Sequence, residues 1–143
     1  AVPGRYQVRL TVGSWTETQP LTVKEDPRIT ADGVTTAILQ EQFDHNMKVR
    51  ELVSRVNQLA AKVRAAERSG GADAAQVKAI ADQLLTPPIR YSQPELQEQI
   101  TYLYGMTNSA DQKIGHDAVA RYAVLKAQLD KLEAEAASVL GNR

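Results

Sequence analysis

The sequence predicts a mainly α-helical fold: a four-helix bundle-like module with two long antiparallel helices, preceded by an N-terminal β-hairpin. Three observations predict it. Residues 5–12 alternate strictly between polar and apolar side chains, the spacing becomes helical near residue 30, and two long apolar seams alternate steps of three and four. Two seams of this kind are best buried by antiparallel packing, with two shorter helices filling the remaining grooves.

The hairpin begins with the strand over residues 5–12. One face of this strand carries the apolar residues Tyr6, Val8, Leu10 and Val12. Gly13-Ser14 fits a two-residue turn with glycine first, and residues 15–24 are the return strand, rich in β-branched residues. Because Pro20 cannot donate a ladder hydrogen bond, this strand is predicted to be an edge or to break there.

The first long helix is predicted over about residues 33–68, a length of about 50 Å. Its seam consists of Val49, Leu52, Val56, Leu59, Val63 and Ala66. A second row, formed by Leu39, Phe43 and Met47, lies upstream at intervals of four residues. Ser69-Gly70-Gly71 ends the helix, and a helix of this length needs a partner along it.

Two shorter helices follow. The first has Asp73 as its N-cap, buries Val77, Ile80, Ala81 and Leu84, and ends at Thr86-Pro87-Pro88. Ser92-Gln93-Pro94-Glu95 resembles a capping box with proline in the first turn of the next helix. The predicted buried face of that helix consists of Leu96, Ile100, Leu103 and Tyr104.

After a loop from Asn108 to Gly115, the last helix runs to about Leu140, and Gly141 is its stop. Its seam consists of Ala118, Tyr122, Leu125, Leu129, Leu132, Ala136 and Val139. The side chains predicted to carry the fold are Leu52, Val56, Leu59, Val63, Leu125, Leu129 and Leu132.

Composition narrows the function classes. Seventeen basic and 17 acidic residues give a formal net charge of zero, evenly spread, which argues against nucleic acid or an anionic membrane as the main partner. No apolar run approaches the roughly 18 residues of a membrane span. The absence of cysteine excludes a disulfide framework, thiol catalysis and Cys-ligated zinc. Without an initiator Met or a signal peptide, we interpret the chain as a processed chain or as a fragment of a longer protein.

Metal and acid–base chemistry have weak candidates. Glu41 and His45 lie four residues apart on one helix, and His116-Asp117 begins another, but zinc needs three or four ligands. Surface or capping roles are therefore favoured for both histidines. Glycoside hydrolysis needs two carboxylates across a cleft, yet Glu133 and Glu135 point to different helix faces. Glu95 and Glu98 are expected on an exposed face beside the capping box.

Nucleophile and phosphate-loop motifs are missing, and Gly70-Gly71 is interpreted as a turn because no strand precedes it. Tyr102 and Tyr104 fall on different helix faces, so one is expected in the core and the other at the rim. Trp15 could stack on a sugar ring, but cross-strand packing is the favoured role. No catalytic, cofactor-binding or metal-binding residue is therefore predicted, and no cofactor.

An isolated hairpin is marginally stable in water, so this one either docks on the helices or is the remnant of a larger sheet. The pattern Pro3-Gly4-x-Tyr6-x-Val8-x-Leu10 is typical of the closing strands of an immunoglobulin-like sandwich, which favours the remnant. We therefore divide the chain into residues 1–29, the end of an immunoglobulin-like domain, and residues 30–143, a helical bundle module.

The order of several sequence phrases resembles the C-terminal end of one family. The phrases are Tyr6 to Leu10, Gln19-Pro20-Leu21-Thr22-Val23-Lys24-Glu25-Asp26-Pro27-Arg28, Leu85-Thr86-Pro87 and Gln99-Ile100-Thr101-Tyr102-Leu103-Tyr104-Gly105-Met106. The family comprises large secreted or periplasmic bacterial proteins often described as glycosyl hydrolases. Their N-terminal bulk consists of sialidase-like or sortilin-like (BNR-type) β-propeller repeats, followed by a small immunoglobulin-like sandwich and a helical tail.

The resemblance implies a parent protein and a location, secreted or periplasmic at the cell envelope. It implies no site in this chain, since catalytic residues of such proteins would lie on the propeller and the S-x-D-x-G-x-x-W box of its repeats does not occur here. We expect a non-catalytic C-terminal structural or interaction module. The alternatives are a helical oligomerisation or partner-binding domain and a hydrolase or metal-binding domain in its own right.

Partners follow from this interpretation. We expect the upstream domains of the same protein, or another copy of the chain in a homo-oligomer, and we expect neither nucleic acid nor a membrane span. Oligomerisation would use the side chains from Val49 to Ala66, whereas a metal site would need His45, Glu41 and His116 to converge.

Overall fold

A computed structural model of the chain describes residues 1–70 and 73–141. The N-terminal hairpin consists of β1 (Gly4–Val12) and β2 (Trp15–Val23), which pair antiparallel in a two-stranded sheet. The register runs from Val12 opposite Trp15 to Gly4 opposite Val23, so the turn is Gly13-Ser14 as predicted. Gly13 has a φ of +60°, the left-handed conformation that tight hairpin turns require and glycine adopts without strain.

Five helices follow in the described residues: α1 (Pro27–Ala31), α2 (Thr36–Ser69), α3 (Ala74–Leu84), α4 (Leu96–Thr107) and α5 (His116–Leu140). The predicted mainly α class with an N-terminal hairpin is confirmed. The short helix α1 was not predicted. Its sequence signal is Asp26 at the N-cap, whose side chain accepts a hydrogen bond from the Arg28 amide, with Pro27 in the first turn.

The two long helices run in the same direction, not antiparallel as expected. His45 of α2 contacts Tyr122 of α5, and ten residues further on Arg55 bonds Asp130 and Glu133, so both residue numbers rise together. The helices that run antiparallel to α2 are α3 and α4. Gln97 of α4 donates to Asn57, whereas Thr107 at the other end of α4 accepts from Gln42. Two short helices in series return the chain along α2, which makes α5 parallel to it.

One hydrophobic core holds α2, α3, α4 and α5 together. All seven side chains predicted to carry the fold are buried, with exposed fractions of 6% or less. Tyr122 and Val139 of the α5 seam, and Tyr104 of α4, are half-buried at the edge of this core. The oligomerisation seam from Val49 to Ala66 is buried inside the same chain, so in this fold it offers no surface to a second copy.

Two predicted helix starts differ from the structure, whereas the predicted end of α2 at Gly70 is confirmed. The capping box is wrong: α4 begins at Leu96, because the Ser92 hydroxyl donates to the Pro87 carbonyl and the Glu95 amide donates to Thr86 Oγ1. Asp73 occupies the N-cap position of α3, but its side chain makes no capping hydrogen bond. Gly70 ends α2 at a φ of +63°, whereas Gly71 of the predicted stop lies outside the described residues.

Gly141 ends α5 with right-handed backbone angles, so this stop does not use glycine's left-handed conformation. None of the described helices is long and apolar enough to cross a membrane.

A short, hydrogen-bonded corner joins the hairpin to the bundle. The Glu25 carboxylate accepts from both the amide and the hydroxyl of Thr36, at the start of α2. Side-chain hydrogen bonds from Arg28 lower the pKa of Asp26 to about 2. The Val34 amide donates to the Ile29 carbonyl, which folds the segment after α1 back on itself. Within the described residues, no Cα atom of either strand lies within 8 Å of a Cα atom of a helix.

Candidate functional site

The hairpin exposes one continuous apolar face. Residues paired directly across an antiparallel ladder share a face, so the register places six apolar side chains together. We call them the apolar face: Tyr6, Val8, Leu10, Val12, Trp15 and Leu21. Their exposed fractions lie between 40% and 64%. Monomeric soluble proteins seldom expose contiguous apolar patches, and such patches mark surfaces that another element covers.

The opposite side of the hairpin is polar. The polar face consists of Arg5, Gln7, Arg9 and Thr11 on β1, opposite Thr22, Pro20, Thr18 and Thr16 on β2. The hydroxyls of Thr11 and Thr16 share a hydrogen bond of 3.1 Å. On the apolar face the only polar pair is Glu17 and Gln19, whose amide donates to the carboxylate at 2.6 Å. This arrangement is typical of an antiparallel sheet that packs one face on a core and leaves the other face in solvent.

The sequence left two alternatives for the hairpin, docking on the helices or being the remnant of a larger sheet. In the structure the hairpin does not dock on the helices. Both strands are exposed along their whole length except at Val23. Trp15 lies opposite Val12, as cross-strand packing predicts, yet half of its surface stays exposed. An apolar face with no partner in the described residues is therefore the strongest candidate functional surface of this chain.

A concavity of about 470 Å³ lies between the base of the hairpin and the lower half of α2. It explains the upstream row of the first long helix: Leu39 is buried, whereas Phe43 and Met47 line this concavity with exposed fractions of 44% and 39%. Val2, Pro3 and Val23 line it from the hairpin side. Sequence periodicity assigned the row to one helix face. It could not show that Phe43 and Met47 of this row stay exposed.

A buried polar cluster joins α2 to the end of α4. Gln42 donates to the carbonyls of Thr107 and Ala110 and accepts from the Gln112 amide. Asn46 donates to the same Thr107 carbonyl at 3.1 Å. Such side chains satisfy carbonyls that the end of a helix leaves without a partner. The cluster was not predicted, because glutamine and asparagine next to an apolar seam give no motif.

His45 is buried, whereas the sequence favoured a surface or capping position for it. Its ring packs edge-on against Tyr122 with a centroid distance of 5.9 Å, and its Nε2 atom has no hydrogen-bond partner within the described structure. Burial, together with the nearby Lys48 charge, lowers the pKa of His45. The neutral ring is therefore the form that this packing favours.

The other metal candidates do not join it. Glu41 and His116 are exposed, whereas His45 is buried. Within residues 1–70 and 73–141, no three His, Cys, Asp or Glu side chains are placed to hold a metal ion. The convergence of His45, Glu41 and His116 that a metal-binding domain would need does not occur.

The acidic pairs are engaged separately. Glu133 accepts from Arg55, and Glu135 lies 3.7 Å from Lys131, so the two carboxylates face different partners. Hydrogen bonds from Arg55 and Lys126 lower the pKa of Asp130 beside them. Glu98 is exposed and Glu95 half-buried beside the loop before α4. Glu133 and Glu135 line different concavities and so do not flank one cleft, as the two carboxylates of a glycoside hydrolase must. Glu95 and Glu98 both line a concavity beside α4.

The two tyrosines of α4 separate as expected. Tyr102 is 73% exposed, whereas Tyr104 is half-buried against the core. A further exposed cluster, not predicted, lies in the loop before α4, where Ile89 and Tyr91 are 69% and 86% exposed. The Arg90 guanidinium lies 4.9 Å from the centre of the Tyr91 ring, a cation–π contact.

Comparisons with protein-family models, with curated proteins and with solved structures find no match for this chain.

Proposed function

We propose that this chain is a non-catalytic C-terminal structural or interaction module of a larger protein, in which the hairpin completes a β-sandwich formed by upstream sequence. The observation that carries the proposal is the uncovered apolar face, since a two-stranded sheet with a bare apolar side lacks the layer it would pack against. The bundle, whose core is complete, is the part that folds without that layer.

The sequence resemblance supports a particular parent. The phrases around Pro20 to Arg28 and Gln99 to Met106 are similar to the tail of BNR-type β-propeller proteins described as glycosyl hydrolases. On this proposal the propeller would act on carbohydrate, the immunoglobulin-like domain would join it to the bundle, and the protein would be secreted or periplasmic. The bundle would brace or dock the sandwich and would contribute no catalytic group.

Trp15 provides a direct test, because it is the single tryptophan of the chain and lies on the apolar face. In the 143-residue chain we expect its fluorescence to be quenched readily by acrylamide. In a longer polypeptide that includes the upstream sequence, we expect a blue-shifted emission and weaker quenching. Tryptophans contributed upstream are replaced by phenylalanine so that Trp15 alone reports. An equally quenchable Trp15 in both proteins would refute the proposal.

Activity and mass measurements separate the alternatives. Glycosidase activity of the 143-residue chain above a heat-killed control would contradict a non-catalytic role. Sedimentation of the same chain over a range of concentrations tests whether another copy covers the apolar face. We expect a monomer, and a dimer that shields Trp15 would favour the oligomerisation alternative.

A further inference from the structure

The two outer edges of the hairpin are not equivalent. A two-residue turn makes Val12 and Trp15 a hydrogen-bonded pair, and hydrogen-bonded pairs then alternate along an antiparallel ladder. The even-numbered residues of β1 therefore direct their amides and carbonyls toward β2. The odd-numbered residues from Arg5 to Thr11 direct theirs away from the hairpin, toward its outer edge.

Pro20 closes the edge of β2. It lies opposite Gln7, at a pair that is not hydrogen-bonded, so the amide hydrogen that proline lacks would have pointed outward. This position explains why the strand continues through Pro20 without a break. Proline on an outer edge is also a device that prevents another strand from pairing there.

The edge of β1 carries no such block. Arg5, Gln7, Arg9 and Thr11 present four outward amides, and none of them is a proline. Among the described strands and helices, only β2 has Cα atoms within 8 Å of those of β1. A row of unpaired amides and carbonyls at a sheet edge is a template for an additional strand.

Two positive charges lie beside that edge. Arg5 and Arg9 are exposed on the polar face, and neither forms an ion pair within the described residues. A strand paired to β1 would place its side chains directly across from theirs, where opposite charges stabilise the pair and like charges destabilise it. Two copies of β1 paired about Gln7 or Arg9 would set arginines opposite each other, which disfavours those self-pairings.

We infer that β1, and not β2, is the edge at which the sheet is extended, and that the added strand comes from the upstream part of the same protein. This inference rests on the proposed function and specifies it. The added strand places apolar residues on the same side of the sheet as the apolar face. On the other side it places acidic residues opposite Arg5 and Arg9. The sheet order is then the upstream strand, β1, β2, with β2 at the outer edge.

Residue-resolved amide exchange tests the inference. In the 143-residue chain we expect the amides of Arg5, Gln7, Arg9 and Thr11 to exchange freely, since they point to solvent. In the longer polypeptide we expect their exchange to slow by about tenfold or more, because each gains a ladder hydrogen bond. The outward amides of β2, those of Thr16, Thr18 and Thr22, are expected to stay fast in both proteins.

A pair of matched proline variants sharpens the test. Gln7→Pro removes an outward amide of β1, and Thr18→Pro removes one from β2; both side chains lie on the polar face. In the longer polypeptide we expect Gln7→Pro to abolish the protection of Arg5 and Arg9 and Thr18→Pro to leave it intact. The inward amides of Val8 and Leu10 show in the 143-residue chain whether each variant keeps the hairpin.

The outcomes are distinguishable. If Trp15 becomes shielded in the longer polypeptide while the outward β1 amides stay fast, the proposed function stands and the edge assignment is wrong. Protection of the β2 amides instead would also overturn the assignment. Concentration-dependent protection of β1 in the 143-residue chain alone would assign the edge to a second copy and overturn the upstream source.

Discussion

Single apolar residues of this chain fall into two environments that sequence patterns alone do not separate. Leu10 and Leu129 both belong to regular apolar patterns, yet Leu10 is 58% exposed and Leu129 is fully buried. The alternation along the strand indicates that one face is apolar. Only the folded structure shows whether another element covers that face. The stability contributed by each leucine depends on that cover.

We therefore expect Leu129→Ala and Leu10→Ala to differ strongly in the 143-residue chain. Leu129→Ala leaves a cavity in the core and is expected to lower the free energy of unfolding by about 2–5 kcal/mol. Leu10→Ala removes an already hydrated side chain and is expected to change it by less than about 0.5 kcal/mol. Urea unfolding followed by helical circular dichroism measures both. Equal losses would mean that the hairpin packs on the bundle.

We expect His45 to make the stability of the chain depend on pH. Its pKa is lowered in the folded state, so near and below the ordinary value of 6.5 the unfolded chain binds more protons than the folded one. Its contribution to stability is therefore complete above that value and is lost as the pH falls below it. We expect His45→Phe, which keeps a ring against Tyr122, to reduce the stability difference between about pH 5 and about pH 7.5.

His116→Gln is the matched control, because His116 is exposed. This variant is expected to keep the dependence on pH of the unmodified chain, measured by the same urea titrations. An unchanged dependence in His45→Phe would show that other groups set it.

At the scale of elements, the buried amide cluster connects α2 to the end of α4 and to the loop that leads into α5. Gln42 satisfies two carbonyls and one amide of that segment. In Gln42→Ala the Ala110 carbonyl and the Gln112 amide would lose this partner, and the Thr107 carbonyl would keep only Asn46. We expect this substitution to cost about 1–3 kcal/mol of unfolding free energy. Amide exchange of Gln112 is expected to speed up locally.

Gln40→Ala serves as the control on the same helix, since Gln40 is exposed and bonds only Asp44. We expect a change of less than about 0.5 kcal/mol. If Gln42→Ala left the free energy of unfolding unchanged, water would replace the hydrogen bonds of the amide at no cost in stability.

The elements themselves were largely predictable, because each signal was local. Alternation defined β1, the repeating steps of three and four defined α2 and α5, and Gly70 marked the end of α2. The direction of α5 was not predictable in this way. A seam shows that a helix needs a partner along its length, but it carries no sign for direction. The hydrogen bonds from Arg55 to Asp130 and Glu133 show the direction of α5 relative to α2, and they are visible only in the folded structure.

Competition between neighbouring contacts explains the wrong capping box. Ser92 has the residue type and spacing of an N-cap, yet its hydroxyl donates to the Pro87 carbonyl inside the preceding loop. The candidate surface was predictable in part: alternation identified the apolar residues of β1, and Pro20 already indicated an edge. That no helix covers the face depends on the path of residues 24–35, and no local pattern encodes that path.

For the whole molecule, the corner between hairpin and bundle separates the buried core of the helices from a sheet whose apolar face is exposed. The core lies entirely within α2 to α5, and the strands contribute no side chain to it. The corner itself does belong to the bundle, because Glu25 and Thr35 accept hydrogen bonds from the first amides of α2. We therefore expect the boundary of independent folding to lie before Lys24 rather than at the start of α2.

Two truncations test that boundary. A chain beginning at Lys24 keeps Glu25 and is expected to unfold within about 0.5 kcal/mol of the 143-residue chain. A chain beginning at Thr36 loses both acceptors at the start of α2 and is expected to lose about 1–2 kcal/mol, a typical cost of an absent N-cap. Thermal and urea unfolding followed at a helical wavelength measure the difference. If removal of residues 1–23 destabilised the bundle as much as the longer truncation, the hairpin would be part of the folded unit. Its apolar face would then not be available to an upstream sheet.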